Sequence, residues 1–369
     1  MKSSFSLVTR FVLFALGTVA LPLASRAQFD APGAVFTSSN APDANRVMVF
    51  SRSSSGELSS PTAYPTGGKG TGAGLGSQGA LALTNDGRWL IAVNAASNDI
   101  SVFAVHRDSL VLTDIAPSGG SRPISVTVAD NLVYVLNAGG AAGSTDSISG
   151  FFLSEKGELT AIPGSTQSLS GPNVAPAQIS FGLRGDVLIV TEKGTSRVDS
   201  FVVDENGRAG PVTSRPSSGA TPFGFAISAK GLLLVSEAVS SAMSSYRLQP
   251  NGAVDLVTGS LVNHQAAACW AVLSKNEKYA YTANAASNTI TGYRVAEDGT
   301  LSLLNNSGVT GMADDHPLDM AVSNNGRFLY AMNSFSKTIV SFLVGADGSL
   351  SRISSIGGLP TGNAGLVAR

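Results

Sequence analysis

The chain has 369 residues, of which only 13% are charged, and its formal net charge is −1. This balance excludes a strongly basic nucleic-acid-binding protein, and the scarcity of charge excludes a coiled coil. The single cysteine, Cys269, excludes an intramolecular disulfide framework and a cysteine-based zinc cluster, so a Gly-rich, all-β protein is the class that fits best.

The N-terminus has the pattern of a secretory signal peptide. Two basic residues precede an apolar run at residues 11–23, and Ser25 and Ala27 place small side chains at the −3 and −1 positions of a cleavage site. The apolar run is too short for a comfortable membrane span. We therefore expect residues 1–27 to be removed and the mature protein to be exported, to the periplasm or outside the cell, without a membrane anchor.

The remaining residues, 28–369, contain one repeat of about 49 residues that recurs seven times. Each unit has an apolar run that ends in Asn or Glu, an aromatic residue nine positions later in most units, and a turn glycine six positions after that. The aromatic positions are Phe50, Phe103, Phe151, Phe201, Tyr246, Tyr293 and Phe342. This regularity predicts a repeat architecture.

Turn residues divide each unit into four short antiparallel strands. Asn-Asp-Gly at 85–87 and Asn-Asn-Gly at 324–326 mark the turn between the first two strands, and Asp-Gly at 298–299 and 347–348 marks the turn between the last two. A unit of about 50 residues with four strands is typical of a β-propeller blade. The sequence therefore predicts an all-β chain with a single seven-bladed β-propeller.

The two ends of the repeat region predict how the ring closes. The first unit begins at a second strand, near Val35, and lacks a first strand. The chain ends with residues 363–368, which match the first strand of the seventh unit at 317–322. We therefore expect the C-terminal segment to supply the innermost strand of blade 1 and to remove an exposed sheet edge.

Polar residues are expected at one face of the disc, the channel mouth. In an antiparallel blade the start of the first strand and the end of the second strand lie at the same face. Residues fourteen apart about the first hairpin should then lie side by side. These predicted pairs include Gln178 with Glu192, Trp270 with Asn284, and Asp319 with Asn333.

Two carboxylates break the pattern at the ends of the second strands. Five blades have Asn there, which commonly caps a turn through its own side chain. Blades 4 and 5 have Glu192 and Glu237 instead. Because a carboxylate at a pore mouth loses hydration unless it is paired or used, we expect any chemistry in these two blades. Arg122, Lys193 and His316 are predicted to reach the same face.

Segments such as Asn-Gly-Arg-Phe-Leu-Tyr-Ala-Met-Asn at 325–333 resemble the seven-bladed lactonase family. That family includes propeller-type 6-phosphogluconolactonases and carboxymuconate cyclases, and the resemblance covers nearly all of residues 33–369. It implies a site in blade 4, where the family motif reads Pro-Arg-His before the first strand and Asn-Glu after the second. The corresponding residues here are Pro176-Ala177-Gln178 and Thr191-Glu192, so the glutamate is retained and the arginine and histidine are not.

The resemblance favours a lactone hydrolase. In this hypothesis Glu192 is the general base that activates water, and Gln178 and Lys193 hold or polarise the substrate oxygens. The predicted substrate-binding residues are Lys193, Glu237, Trp270, Asp319, Asn284, Asn333, Arg122 and His316. Export and the scattered basic residues favour a small, unphosphorylated, sugar-type lactone over a phosphorylated one.

Other functions remain open from the sequence. A non-catalytic propeller of the cell envelope that binds a ligand or protein at the same mouth is the main alternative, because propellers host many functions. A cycloisomerase or lyase is a third. A ring of Asn, Asp and Glu oxygens is also a weak candidate for Ca²⁺, although we expect no metal or cofactor. We expect a monomer with no nucleic-acid partner.

Overall fold

The structure is a computed structural model that describes residues 32–107, 109–140 and 145–369. Within these residues the chain forms 30 β-strands in seven antiparallel sheets and one short 3-10 helix. Seven four-stranded units around one axis confirm the predicted seven-bladed propeller. The predicted signal peptide at residues 1–27 lies outside the described residues.

Blades 1 to 3 follow one another along the chain. Blade 1 takes its three outer strands from β1 (Gly33–Ser38), β2 (Arg46–Arg52) and β3 (Thr62–Pro65). Blade 2 consists of β4 (Leu81–Leu83), β5 (Trp89–Asn94), β6 (Asp99–His106) and β7 (Ser109–Pro117). Blade 3 consists of β8 (Pro123–Ala129), β9 (Leu132–Asn137), β10 (Ser147–Leu153), β11 (Leu159–Ala161) and β12 (Gln167–Ser168), the last two pairing with β10.

Blades 4 to 7 repeat the same order from the inner to the outer strand. Blade 4 consists of β13 (Pro176–Gly182), β14 (Val187–Glu192), β15 (Arg197–Val202) and β16 (Thr213–Pro216), with the 3-10 helix α1 (Leu183–Gly185) in its first hairpin. Blade 5 consists of β17 (Pro222–Ile227), β18 (Leu232–Glu237), β19 (Ala242–Leu248) and β20 (Val254–Val262). Blade 6 consists of β21 (Ala268–Leu273), β22 (Tyr279–Asn284), β23 (Thr289–Val295), β24 (Leu301–Leu303) and β25 (Gly311–Met312). Blade 7 consists of β26 (Pro317–Val322), β27 (Phe328–Asn333), β28 (Thr338–Val344) and β29 (Leu350–Ile356), and β30 (Ala364–Ala368) ends the chain.

The repeated aromatic residues occupy the core. All seven of the aromatic positions found in the sequence are at most 3% exposed. They lie on the third strands and pack in the hydrophobic clusters between the sheets, as Phe342 does in blade 7. Burial of one large ring per blade gives each sheet an apolar face against its neighbour, which explains why this position is the most regular feature of the repeat.

The ring closes through the C-terminal strand, as predicted. Strand β30 pairs antiparallel with β1, with Ala368 opposite Val35 and Val367 opposite Phe36. The backbone N–H of Arg369 also donates to the carbonyl of Ala34 at 2.9 Å. Because β30 occupies the inner edge of β1, blade 1 has the same four-strand order as the other blades.

The predicted pairing of residues fourteen apart is wrong in most blades. In blade 4 Glu192 lies opposite Pro176, and Gln178 lies opposite Thr191. A β-bulge near the start of the inner strand places an extra residue there and shifts the register. The same shift separates the predicted partners in blade 6 and in blade 7, where the strand-two asparagines lie opposite Ala268 and Pro317.

No helix in the described ranges, 32–107, 109–140 and 145–369, has the length and apolar character required to cross a bilayer.

Candidate active site at the channel mouth

A glycine-rich segment between blades 1 and 2 crosses the central channel, and we call residues 72–79 the strap. Ser77 Oγ donates to the carbonyl of Ile124 in blade 3 at 2.8 Å, and the Gln78 N–H donates to the carbonyl of Ala177 in blade 4 at 3.1 Å. On the far side, the indole N–H of Trp270 in blade 6 donates to the Ser77 carbonyl at 3.0 Å. These contacts to three inner strands mean that the strap closes the channel.

The side chain of Gln78 anchors the strap inside the channel. Its Nε2 donates to the carbonyl of Ala271 at 2.8 Å, and its Oε1 accepts the Ala271 N–H at 3.0 Å. Gln178 makes the same pair of bonds with the backbone of Phe225, at 3.1 and 2.7 Å, and so links blades 4 and 5. A carboxamide has the same hydrogen-bond donor and acceptor as a peptide group. It can therefore pair with the backbone of an inner strand where no further strand is present to do so.

The strap bounds a cavity of about 520 Å³ at the mouth, which we call the mouth cavity. Its walls come from the strap, from blades 5, 6 and 7, and from the turn at 361–365 before β30. Three of the predicted site residues, Trp270, His316 and Asp319, line it. A cavity of this size holds a small organic ligand.

Trp270 forms one wall together with two neighbours. Its ring lies 4.9 Å from that of Phe223, measured between ring centroids. On the other side of Phe223, the ammonium of Lys193 lies 4.8 Å from the ring centroid and donates to the carbonyl of Gly76 in the strap. Burial, with a smaller contribution from the charge of Arg122, lowers the pKa of Lys193 to about 8. Lys193 therefore fastens the strap at the rim of the mouth cavity.

Asp319 joins three parts of the molecule at the base of the mouth cavity. Its Oδ1 accepts the N–H of Met320 at 2.9 Å, and its Oδ2 accepts those of Leu366 in β30 at 3.2 Å and of Gly79 in the strap at 3.5 Å. Burial raises the pKa of Asp319 to about 7, against the opposing effect of these hydrogen bonds. Near neutral pH this carboxyl therefore exists in both protonation states.

His316 lies in the loop before β26 and faces the same cavity. Its backbone is in the left-handed region with φ +57°, and its N–H donates to Asn288 Oδ1 at 2.8 Å. The imidazole is half-buried and stacks on Phe335, with 4.3 Å between the ring centroids. The stacking positions the imidazole and the Asn288 contact fixes its backbone, so His316 presents a candidate general base to the cavity.

One buried amide in the wall has no partner. Asn363 is 1% exposed, lines the mouth cavity, and neither its Oδ1 nor its Nδ2 makes a hydrogen bond within the described residues. A buried polar group without a partner is costly and commonly marks a site where a water or ligand binds.

Arg122 and Lys193 meet at a second cavity of about 330 Å³, on the other side of the strap. Asp146 also lines it and accepts the N–H of Val174 at 2.8 Å. Leu75 of the strap separates this smaller cavity from the mouth cavity, because it lines both. Another basic residue, Arg215, lies over the ring of Tyr246 in blade 5.

Glu192 is fully buried inside blade 4. Its carboxylate accepts the N–H and Oγ–H of Ser170, at 3.1 and 2.6 Å, and the hydroxyl of Thr195. The carboxyl of Asp199 lies beside it, and burial followed by the hydrogen bond with Glu192 raises the pKa of Asp199 to about 8. Asp199 therefore keeps its proton at neutral pH.

The other strand-two ends are used in the same way. Glu237 is buried and its carboxylate accepts four hydrogen bonds, from the N–H of Gly219 and the hydroxyls of Ser217, Ser244 and Ser260. Asn284 donates to Thr289 and Thr291, and Asn333 donates to Thr338. Glu192, Glu237, Asn284 and Asn333 thus bind groups of their own blade or of the loop that precedes it, and the mouth cavity is lined by other residues. Their predicted roles in binding or catalysis stay predictions.

The Ca²⁺ site considered from the sequence gains no support from the contacts. Asp314 is paired with Arg352 at 2.7 Å and accepts the hydroxyls of Thr338 and Ser355. Among the described residues, no cluster of three or more His, Cys, Asp or Glu side chains is arranged to hold a metal ion.

The sequence reasoning missed the strap and the aromatic wall. The strap lies in a Gly-rich run at 66–79, which has seven glycines in fourteen residues and belongs to no repeat. The high glycine content was the sequence feature that could have indicated this segment. Gly76 and Gly79 adopt positive φ of 61° and 80°, a conformation that glycine adopts readily. Phe223, Phe335 and Asn363 carried no comparable pattern.

Comparisons with known proteins agree with this architecture. The model of the seven-bladed β-propeller lactonase family matches residues 44–160 and 247–363. No curated protein sequence matches the chain. Among solved structures, a periplasmic gluconolactonase from Pseudomonas aeruginosa has a TM-score of 0.71 at 15% identity, covering 91% of this chain and 98% of its own. A provisionally assigned 6-phosphogluconolactonase from Bacteroides fragilis has a TM-score of 0.69 at 19% identity, covering 90% and 97%. The structural likenesses show the fold, and the family match covers more than half of the chain, so this chain belongs to the seven-bladed β-propeller lactonase family.

Proposed function

We propose that the protein hydrolyses a small, unphosphorylated lactone in the mouth cavity. The observation that carries the proposal is the presence of His316 and Asp319 in the wall of one cavity in a lactonase-family propeller. Lactonase names among the structural neighbours support the reaction class. Opening a lactone requires a base for the attacking water and an acid for the leaving oxygen, and these two side chains supply both.

The reaction begins when His316 accepts a proton from a water molecule. The water oxygen bonds to the lactone carbonyl carbon and forms a tetrahedral intermediate. The bond between that carbon and the ring oxygen then breaks, and protonated Asp319 donates its proton to the ring oxygen. The product is a hydroxy acid, and proton return from the imidazolium to Asp319 through solvent restores both groups. The pKa of Asp319, about 7, suits an acid that donates near neutral pH.

The charge of the cavity supports an unphosphorylated substrate. Of the described residues, those that line the mouth cavity include no Arg or Lys. A phosphate is normally held by charge-assisted hydrogen bonds from such side chains. The signal-peptide pattern at residues 1–27 supports export, and with it a substrate outside the cytoplasm.

This assignment makes His316 the general base, and Glu192 is then a buried residue that caps a turn. The hydrogen bonds from Ser170 and Thr195 occupy the Glu192 carboxylate and hold it away from the mouth cavity. Gln178 is similarly occupied by the backbone of Phe225. Glu192→Gln and Gln178→Ala variants in the lactone assay test the catalytic role predicted for these two residues from the sequence.

The test is acid release from a panel of unphosphorylated lactones by the purified protein, followed in a pH-stat. The panel contains gluconolactone, δ-valerolactone, alkyl-substituted δ-lactones and dihydrocoumarin. We expect hydrolysis above the buffer rate for at least one lactone, and a loss of roughly 100-fold in kcat for His316→Gln. If the protein is no faster than buffer on every lactone, the hydrolase proposal fails, and a ligand-binding propeller is the alternative.

A further inference from the structure

We infer that the mouth cavity selects a lactone with an apolar body, an alkyl- or aryl-substituted ring, and that it disfavours a polyhydroxylated ring. The inference rests on the proposed hydrolysis and names the substrate class of that site. It departs from the sugar-type substrate expected from the sequence.

The walls carry the first part of the inference. Apolar side chains from the strap and from blades 5, 6 and 7 form most of the cavity surface: Leu75, Phe223, Trp270, Leu318, Met332 and Phe335. Such a surface is stabilised by contact with apolar groups, and it offers nothing to the hydroxyls of a sugar. Phe335 is 68% exposed, and a large exposed aromatic ring at a cavity rim is typical of a ligand contact.

The polar groups of the cavity are too few for a polyhydroxylated ring. Ser77 Oγ is bonded to the carbonyl of Ile124, and Ser334 Oγ contacts the carbonyl of His316 at 3.4 Å. Of the other polar side chains that line the cavity, His316 and Asp319 are assigned to the reaction, and Thr361 and Asn363 complete the set. A sugar lactone would bury several hydroxyls without partners, which lowers affinity.

The binding test uses alkyl-substituted δ-lactams, which keep the carbonyl and ring but resist hydrolysis. The reporter is Trp270 fluorescence in a Trp89→Phe background, because the chain has only these two tryptophans. We expect affinity to increase about fourfold for each added methylene until the cavity is full, and gluconolactam to bind more weakly. Affinity that is independent of chain length, or tighter binding of gluconolactam, overturns the inference.

The outer wall is tested with Phe335→Ala and a matched control. The control, Phe152→Ala, removes another partly exposed phenylalanine, which lies in blade 3 away from the cavity. We expect Phe335→Ala to weaken binding of the tightest-binding alkyl-substituted δ-lactam by about tenfold. We expect Phe152→Ala to leave that binding unchanged. Equal effects of the two variants contradict a role for Phe335 in the site.

The two proposals fail differently. If alkyl lactams bind with the expected chain-length dependence but no lactone is hydrolysed, the hydrolase proposal fails and the ligand class holds. If gluconolactone is hydrolysed and alkyl lactones are not, hydrolysis holds and the inferred substrate class is wrong.

Discussion

Leu366 is the side chain through which ring closure can be measured. It lies in the C-terminal strand β30, is 4% exposed, and packs between blades 7 and 1 in a cluster that includes Val35, Phe50 and Phe328. Truncating it to Ala removes buried methyl groups and leaves a cavity between two blades. Substitutions of this kind cost about 3 kcal/mol.

The expected change is a fall of about 6 °C in the thermal midpoint, taking about 2 °C per kcal/mol for a domain of this size. The assay is calorimetry of wild type and Leu366→Ala at one pH and protein concentration. Leu343→Ala is the control, because Leu343 is 39% exposed on β28 and its truncation should cost less than about 1 kcal/mol. If Leu366→Ala has the same thermal midpoint as wild type, β30 does not hold the ring closed and the reasoning is refuted.

Three further predictions concern stability and processing. The free energy of unfolding of wild type should fall as pH rises from about 4 to about 8, and it should fall more than that of Asp199→Asn. The reason is that the folded state keeps the Asp199 proton up to a pKa of about 8, whereas the unfolded state loses it near 3.8. Parallel curves of thermal midpoint against pH for the two proteins contradict this. Gln78→Ala should lower the thermal midpoint and speed hydrogen exchange at the Ala271 N–H, which loses its acceptor, and unchanged exchange there contradicts the anchoring role of the strap. Mass spectrometry of exported protein should find the N-terminus at or near Gln28, and an intact residue 1 in a membrane fraction contradicts cleavage.

The blades and the closure were predictable because they rest on repeated local patterns. The buried aromatic of each third strand and the glycine turns recur at fixed spacing, so seven copies reinforce one prediction. The closure of the ring was predicted from the similarity of residues 363–368 to the inner strand of blade 7. Strand β30 occupies the predicted position beside β1.

The candidate site was less predictable because it depends on departures from the repeat. The strap belongs to no repeat, and its hydrogen bonds join residues up to 240 positions apart, as Gly79 and Asp319 are. The bulge at Pro176–Gln178 moved Gln178 from Glu192 to Thr191. Carboxylates at strand ends looked exceptional in the sequence, but nearby serine and threonine hydroxyls satisfy them, as Ser170 and Thr195 do for Glu192.

Three of the residues chosen from the sequence, Trp270, His316 and Asp319, do line one cavity. They were chosen for their place at strand starts and inter-blade loops, which the fold brings to one face whatever the local register. Phe335 and Asn363 were not found, because a single exposed aromatic and a single asparagine have no pattern that marks them in one sequence.

The measurement that tests the central claim most directly compares His316→Gln with Glu192→Gln on the lactone that wild type hydrolyses fastest. Both variants are to be shown folded by circular dichroism before initial rates are taken. The mouth-cavity assignment predicts that kcat falls roughly 100-fold for His316→Gln and stays within about threefold of wild type for Glu192→Gln. A large loss in Glu192→Gln with near-normal turnover in His316→Gln contradicts the assignment and returns the chemistry to blade 4.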